Sequence, residues 1–107
     1  MVIVPVASVT ALIAGHKYTE VFTAAGPVGL TSQSIVSLLA DHPGEWVRCS
    51  RNAAVRISAA RETLPTRDRY TVGEMVVDGV AQPVPVSRRR TAAVHRELLS
   101  AAARWQR

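Results

Sequence analysis

The pattern of hydrophobic and polar positions divides the chain into a strand-rich beginning and a mixed remainder. Residues 1–7 are rich in β-branched side chains, which favours a strand, and Pro5 puts that strand at a sheet edge because proline cannot donate to a central ladder. Residues 8–14 fit either a short helix or a continued strand. A further β-rich stretch, 18–22, comes before turn-forming residues. The segment 1–29 is therefore predicted to consist mainly of strands.

A first helix is predicted after Thr31. This residue is a good N-cap, and the apolar residues Leu30 and Ile35 occupy the two positions of a hydrophobic staple. Residues 42–44, His-Pro-Gly, end the helix because a residue before proline avoids helical conformations. The β-rich stretch 46–49 then predicts a short strand.

A second helix is predicted from Ser50 to about Leu64. Ser50 can cap this helix and Pro65 can end it. Its inner face would consist of apolar residues that recur at helical spacing: Ala53, Ile57, Ala60 and Leu64. The other faces would then carry three arginines, which are Arg51, Arg56 and Arg61.

The last third of the chain predicts a β-hairpin and a helix. Asp78-Gly79 lies between two β-rich runs, and this dipeptide favours a tight hairpin turn. Pro83 and Pro85 place the second arm of the hairpin at a sheet edge. A final amphipathic helix begins near Thr91.

These elements predict an α+β fold for a single domain, 1–107, with about three helices, a few short strands and a β-hairpin. The domain divides into the strand-rich segment 1–29, a helix-strand-helix-hairpin segment 30–86, and a basic lead-in with the C-terminal helix, 87–107. The middle order is partly that of a winged helix. It departs from that fold because residues 50–64 leave room for one helix where two are needed.

The positive charge of the chain is concentrated in its second half. The 107 residues are 48% hydrophobic and 20% charged, which fits one globular domain. The formal net charge is +5, with −2 in residues 1–45 and +7 in residues 46–107. This asymmetry indicates an anionic partner for the second half, either nucleic acid or an acidic protein surface.

Arginines supply the candidate phosphate contacts. In the winged-helix order, some would lie on the recognition helix and others would lead into the wing. The run Arg88 to Arg90 precedes the last helix, where cations oppose the helix dipole, and it is either one phosphate-binding unit or a solvated lead-in to the helix. The full candidate set is Arg51, Arg56, Arg61, Arg67, Arg69, Arg88, Arg89 and Arg90.

Enzymatic chemistry has no recognisable support in the sequence. No nucleophile elbow, phosphate-binding glycine loop or zinc-binding histidine motif is present, so we expect no catalytic residue, no metal site and no cofactor. The single cysteine, Cys49, cannot form an internal disulfide, and small core filler is a better interpretation than a nucleophile. The apolar beginning of the chain is too short to span a bilayer. We therefore expect a cytoplasmic protein with no membrane partner.

The stretch 39–47, Leu-Ala-Asp-His-Pro-Gly-Glu-Trp-Val, resembles a pattern in small uncharacterised proteins of actinobacterial phages. The resemblance covers the middle third of the chain and implies no activity. It suits a phage regulatory or accessory protein in the host-cell cytoplasm, and equally a virion connector or a host-directed binder.

Two functions of different class follow from these observations. The first is a small basic nucleic-acid-binding protein, regulatory and of phage type, that contacts phosphates through arginines. The second is a non-enzymatic structural or interaction protein, such as a virion assembly component or an inhibitor of a host protein. In the second function the last helix would present Val94, Leu98 and Trp105 to a protein partner or to another copy of the chain.

Overall fold

Two antiparallel sheets form the body of the domain in the computed structural model, which describes residues 4–66 and 72–105, with side chains as far as Ala101. The first sheet has the order β3-β2-β1-β5-β4, with strands β1 Val9–Ala14, β2 Thr19–Thr23, β3 Gly26–Thr31, β4 Trp46–Ser50 and β5 Ala53–Arg56. The second has the order β6-β7-β8, with strands β6 Ala60–Pro65, β7 Val72–Val77 and β8 Val84–Pro85. Helix α1 is Ile35–Leu39 and helix α2 is Thr91–Trp105. Short 3₁₀ turns occupy Val6–Ser8 and Ile57–Ala59.

The predicted α+β class with about three helices and a partly winged-helix order is wrong. Strands dominate the described residues, which contain two α-helices, and the predicted helix 50–64 is replaced by β5, a 3₁₀ turn and β6. Strand β5 lies between β1 and β4, so its residues are buried on both faces of the sheet. A strand of this kind is a continuous apolar run, which periodicity cannot distinguish from a buried helix.

The beginning of the chain also differs from its prediction. Residues 6–8 form a 3₁₀ turn, and the first strand occupies the stretch 9–14, where the sequence left helix and strand open. Helix α1 begins later than predicted, because the side chain of Ser34 caps it by accepting a hydrogen bond from the Ser37 amide at 3.1 Å. Thr31 ends β3 instead, and Leu30 is 64% exposed, so no hydrophobic staple forms.

Several predicted elements are confirmed. Strands β2 and β4 lie where the β-rich stretches 18–22 and 46–49 predicted them, and α2 begins at Thr91. A turn forms at Asp78-Gly79, with Gly79 at φ +83° and the Val80 amide donating to the Val77 carbonyl at 3.2 Å. The loop that joins the two arms of the hairpin is longer than predicted, since β8 begins only at Val84.

Two apolar clusters lie on opposite faces of the five-stranded sheet. The main cluster fills the space between the two sheets and α2, and its most deeply buried side chains are Val47, Cys49, Val55, Met75, Val84 and Val94. The smaller cluster joins Leu12, Ile35 and Ala54 beneath α1. A mostly apolar groove of about 560 Å³ remains beside this short helix. No helix among the described residues is long and apolar enough to span a lipid bilayer.

Candidate nucleic-acid interface

Three loops meet at the end of the five-stranded sheet where β1 and β4 finish. These are the β1–β2 turn, the β4–β5 turn and the junction between β8 and α2. The Ala14 amide donates to the Asn52 carbonyl at 2.7 Å, which joins the first two loops. The Ser87 amide donates to the Cys49 carbonyl at 2.9 Å, which joins the third. The three loops therefore lie side by side and are fixed by backbone hydrogen bonds.

Exposed cations occupy all three loops. Lys17 lies in the first, Arg51 in the second, and Arg88 and Arg89 in the third. None of these four side chains forms an ion pair or hydrogen bond with another residue of the described ranges. We call these four residues the basic end. A cluster of unpaired cations on fixed loops produces a local positive potential that attracts anions.

Two carboxylates, Glu45 and Asp78, lie at the opposite end of the five-stranded sheet. Glu45 lies just before β4, and Asp78 follows β7, where its carbonyl accepts a hydrogen bond from the Thr10 hydroxyl at 2.8 Å. Arg61 forms an ion pair with Asp78 and is not part of the basic end. The charges at the opposite end are therefore largely balanced within the chain.

Arg56, predicted as a phosphate contact, holds the opposite end together. Its Nε donates to the Val9 carbonyl at 2.7 Å and its Nη2 to the Val6 carbonyl at 2.8 Å. The guanidinium carbon lies 4.7 Å from the centre of the Trp46 ring, and Nη1 lies 3.7 Å from a Glu45 carboxylate oxygen. The side chain is only 12% exposed, so its donors are used within the fold.

The arginine run before α2 does not act as one unit. Arg88 and Arg89 are exposed, whereas the Nε of Arg90 donates to the Arg48 carbonyl at 3.0 Å. A second nitrogen of Arg90 lies 3.5 Å from the Glu97 carboxylate. The Arg90 carbonyl also accepts from the Val94 amide at 2.8 Å in the first turn of α2. Arg90 therefore anchors the helix to β4, and two arginines of the run remain available.

The comparisons with known proteins agree with a nucleic-acid interface. The family model described as the LytTr DNA-binding domain matches residues 1–99. The chain belongs to the LytTr DNA-binding domain family. The DNA-binding, regulatory function predicted from charge is thereby confirmed at this level, with nucleic acid as the partner. The winged-helix arrangement that we expected to contact the nucleic acid is not present in the described part of the chain.

A solved structure supports the same assignment. It is described as the LytTr DNA-binding domain of a methyl-accepting/DNA response regulator from Bacillus cereus, and it shares 27% sequence identity with this chain. The match has a TM-score of 0.71 and covers 90% of this chain and 84% of the other. No curated protein sequence matches the chain. The phage resemblance of residues 39–47 stays a prediction.

Two of the three residues predicted for a partner interface on the last helix contact the core of this LytTr domain. Val94 is fully buried in the main cluster, and Leu98 packs against that cluster. Val94 is therefore used within the fold and Leu98 is partly buried, so a partner interface on this helix stays a prediction. The third predicted residue, Trp105, has a side chain outside the described part of the structure. The candidate contacts Arg67 and Arg69 likewise lie outside the described residues.

Cys49 is an internal residue of the LytTr domain and has no reactive environment. Its Sγ lies 3.6 Å from the Met75 sulfur, and burial raises the pKa of the Cys49 thiol to about 12, although nearby Arg90 opposes this shift. A thiol with so high a pKa is a poor nucleophile at neutral pH. Within residues 4–66 and 72–105, no three histidine, cysteine, aspartate or glutamate side chains cluster in a way that could hold a metal ion.

Sequence reasoning missed Lys17 and Asn52 as members of the loop surface. Lys17 appeared isolated because its neighbours along the chain are neutral, and Asn52 was assigned to a helix. Residues 50–53, Ser-Arg-Asn-Ala, lie between two β-rich runs, and an asparagine between such runs favours a turn. That signal could have placed Arg51 and Asn52 in a loop.

Proposed function

We propose that the basic end is the surface through which this regulatory LytTr domain contacts the DNA backbone. Lys17, Arg51, Arg88 and Arg89 would neutralise phosphates. The observation that carries the proposal is their arrangement: four exposed cations without partners in the described chain lie on three loops joined by backbone hydrogen bonds. Lysine and arginine side chains of this kind supply most phosphate contacts in protein–DNA complexes.

Loop rigidity favours this surface over a flexible charged tail. The β4–β5 turn is fixed from both sides, since the Asn52 carbonyl accepts from Ala14 and the Arg48 Nη2 donates to the Arg51 carbonyl at 2.9 Å. The β8–α2 junction is held by Ser87 and Arg90. A prearranged set of donors loses less conformational entropy on binding than a mobile one. A non-enzymatic role is supported by the match to a DNA-binding domain family.

The positions of the charges also distinguish this proposal from the alternative function, an interaction protein that binds its partner through the last helix. That alternative was anchored by Val94, Leu98 and Trp105, and here Val94 is buried in the main cluster while Leu98 packs against it. Binding by the basic end is electrostatic, so it should fall linearly on a plot of log affinity against log salt concentration. An apolar protein interface would persist at high salt.

The test is a triple variant, Arg51→Gln, Arg88→Gln and Arg89→Gln, measured on duplex DNA across a salt series. Each lost phosphate contact lowers the magnitude of the salt slope by about 0.9, so we expect a decrease of about 2 to 3. The loss should be similar on unrelated duplexes, because phosphate contacts carry no base information. The matched control is Arg61→Gln, which removes another exposed arginine from the opposite end and should leave the slope unchanged. A folded triple variant with the wild-type slope would exclude the basic end as the DNA surface.

A further inference from the structure

The apolar groove of about 560 Å³ lies on the face of the five-stranded sheet that α1 covers. Helix α1, the turn before β1 and strands β1, β2 and β3 all contribute residues to its lining. Its volume lies within the range of small-molecule sites in proteins, which is about 300 to 1,000 Å³. In the described chain, none of the four residues of the basic end lines the groove. The groove is therefore a second concave surface, separate from the proposed DNA contacts.

Aliphatic side chains form most of the lining, and some of them are open to solvent. Leu12 and Val21 belong to the smaller apolar cluster. Val6 and Leu30 also line the groove, yet they are 54% and 64% exposed. Exposed apolar side chains beside a concave surface are typical of a binding site for an apolar group.

Trp46 brings an unsatisfied hydrogen-bond donor to the lining of this groove. Its Nε1 is buried and has no hydrogen-bond partner in the described chain. A buried N–H without an acceptor costs free energy, and in native proteins such groups are usually paired. An acceptor carried by a ligand would remove this cost.

His42 adds a hydrogen-bond acceptor to the same lining. Its Nδ1 lies 3.3 Å from a Glu45 carboxylate oxygen, and a carboxylate only accepts, so Nδ1 carries the proton of the neutral ring. The Nε2 atom of that tautomer keeps its lone pair. Glu45 also lies 3.7 Å from Nη1 of Arg56, whose guanidinium lies over the Trp46 ring. His42 and Trp46 are thus joined through one carboxylate at one end of the groove.

We propose that the groove binds a small uncharged molecule with an unbranched aliphatic chain and a carboxamide head. The chain lies along the aliphatic walls. After a small shift of the indole, the carbonyl oxygen of the head accepts from the Trp46 Nε1, and the amide N–H donates to the His42 Nε2. This inference does not depend on the proposed function, because the groove is lined by other residues than the basic end.

The charges and the wall residues select this ligand over others. A carboxylate head would lie near the negative charge of Glu45 and would offer no N–H to His42. A plain hydrocarbon would leave the Trp46 donor unpaired. Aromatic rings line the groove only at His42 and Trp46 in the described chain, so the walls suit a flexible chain better than a flat ring system.

The experiment is a titration of the full chain with decanamide, followed by nitrogen–proton NMR of the indole groups. The chain has two tryptophans, and Trp46→Phe identifies the signal of Trp46 by removing it. On saturation we expect the Trp46 indole proton to move downfield, because its N–H gains an acceptor, while the Trp105 signal stays in place. Decanoate has the same chain with a charged head, and it should bind about tenfold more weakly.

Two exposed leucines provide a matched pair of variants. Leu30→Ala shortens a side chain of the groove and should weaken decanamide binding by about threefold to fivefold. Leu99→Ala shortens a leucine of α2 that is 57% exposed and does not line the groove, so it should keep the wild-type affinity. Both side chains are exposed, so neither substitution should unfold the domain.

Four results would each overturn the inference. These are the absence of saturable decanamide binding, a Trp46 indole signal that does not move, decanoate binding as tight as that of decanamide, and equal affinities in the two leucine variants. None of them would alter the salt slope of DNA binding, which tests the basic end by itself.

Discussion

The two ends of the five-stranded sheet use the same residue type for opposite purposes. At the basic end, Arg51 and Arg88 extend into solvent without partners in the described chain. At the other end, Arg56 and Arg61 are bound to carbonyls or carboxylates of the fold. The end of the sheet at which an arginine lies therefore decides whether its side chain is used within the fold or stays exposed.

The opposite end also carries a close contact between the two sheets. The Thr10 hydroxyl donates to the Asp78 carbonyl, and Gly79 lies against the backbone of Thr23. At the basic end the joint is instead a backbone hydrogen bond from the Ser87 amide, just after β8, to the Cys49 carbonyl in β4. Substitutions at the two ends should consequently separate loss of stability from loss of DNA binding.

The largest effect is expected for Gly79→Ala. A Cβ atom at this position would lie 1.7 Å from the Thr23 carbonyl oxygen, and the residue has a φ of +83°, which disfavours alanine. We expect the free energy of unfolding to fall by about 3 kcal/mol or more, as measured by urea denaturation. Gly29→Ala, where a Cβ meets nothing within 4 Å, is the control and should change it far less. Equal losses in the two variants would contradict the close joint between the sheets.

Arg56→Ala should destabilise the domain by about 2 kcal/mol, because it removes two hydrogen bonds from a charged group and leaves two carbonyls without their donor. The salt slope of DNA binding should not change in this variant. Arg51→Ala should show the reverse, with nearly unchanged stability and a slope lower in magnitude by about 0.9. Urea denaturation and DNA binding across a salt series, measured on both variants, test this comparison of the two ends of the sheet. The comparison fails if Arg56→Ala alters the salt slope of DNA binding.

Alkaline pH should weaken the wild-type fold through Cys49, which lies behind the basic end. The folded pKa of this thiol is raised to about 12 from the ordinary value of 9.0, so the folded state disfavours the thiolate. Its contribution is full below pH 9 and is lost as the pH rises toward 12. Between pH 8 and pH 10 we expect a loss of about 1.4 kcal/mol that Cys49→Ala does not show. Parallel stability profiles for the two proteins would be inconsistent with the buried thiol.

The smallest effect is expected for Arg61→Gln. The side chain of Arg61 is 74% exposed, and exposed ion pairs contribute little because water screens them. The free energy of unfolding should change by less than about 0.5 kcal/mol. A change of 2 kcal/mol in urea denaturation would show that the Asp78 pair is a structural joint.

The sequence allowed prediction of the elements with local signals and failed where distant residues decide. Helix α2 has an amphipathic repeat, and Asp78-Gly79 has a turn chemistry of its own, so both were found. Strand β5 was missed because both of its faces are buried, and this burial depends on neighbours elsewhere in the chain. The site was found in part for the same reason. Arg51 and Arg88 were correctly placed on the surface, whereas Arg56 is held by carbonyls 47 and 50 residues away.

The hydrogen bonds of Arg56 have a consequence for the order in which the chain can fold during synthesis. Strands β1, β2 and β3 are consecutive neighbours, so they can pair as soon as they leave the ribosome. The Val6–Ser8 turn cannot accept its hydrogen bond from Arg56 until that residue, dozens of positions later, has been synthesised. In the same way, the open edge of β1 stays unpaired until β5 has been synthesised. Contacts of such sequence separation form slowly. We therefore expect a nascent three-stranded meander, with the β1 edge unpaired, to precede the finished sheet, and β5 with its terminal Arg56 to close that edge.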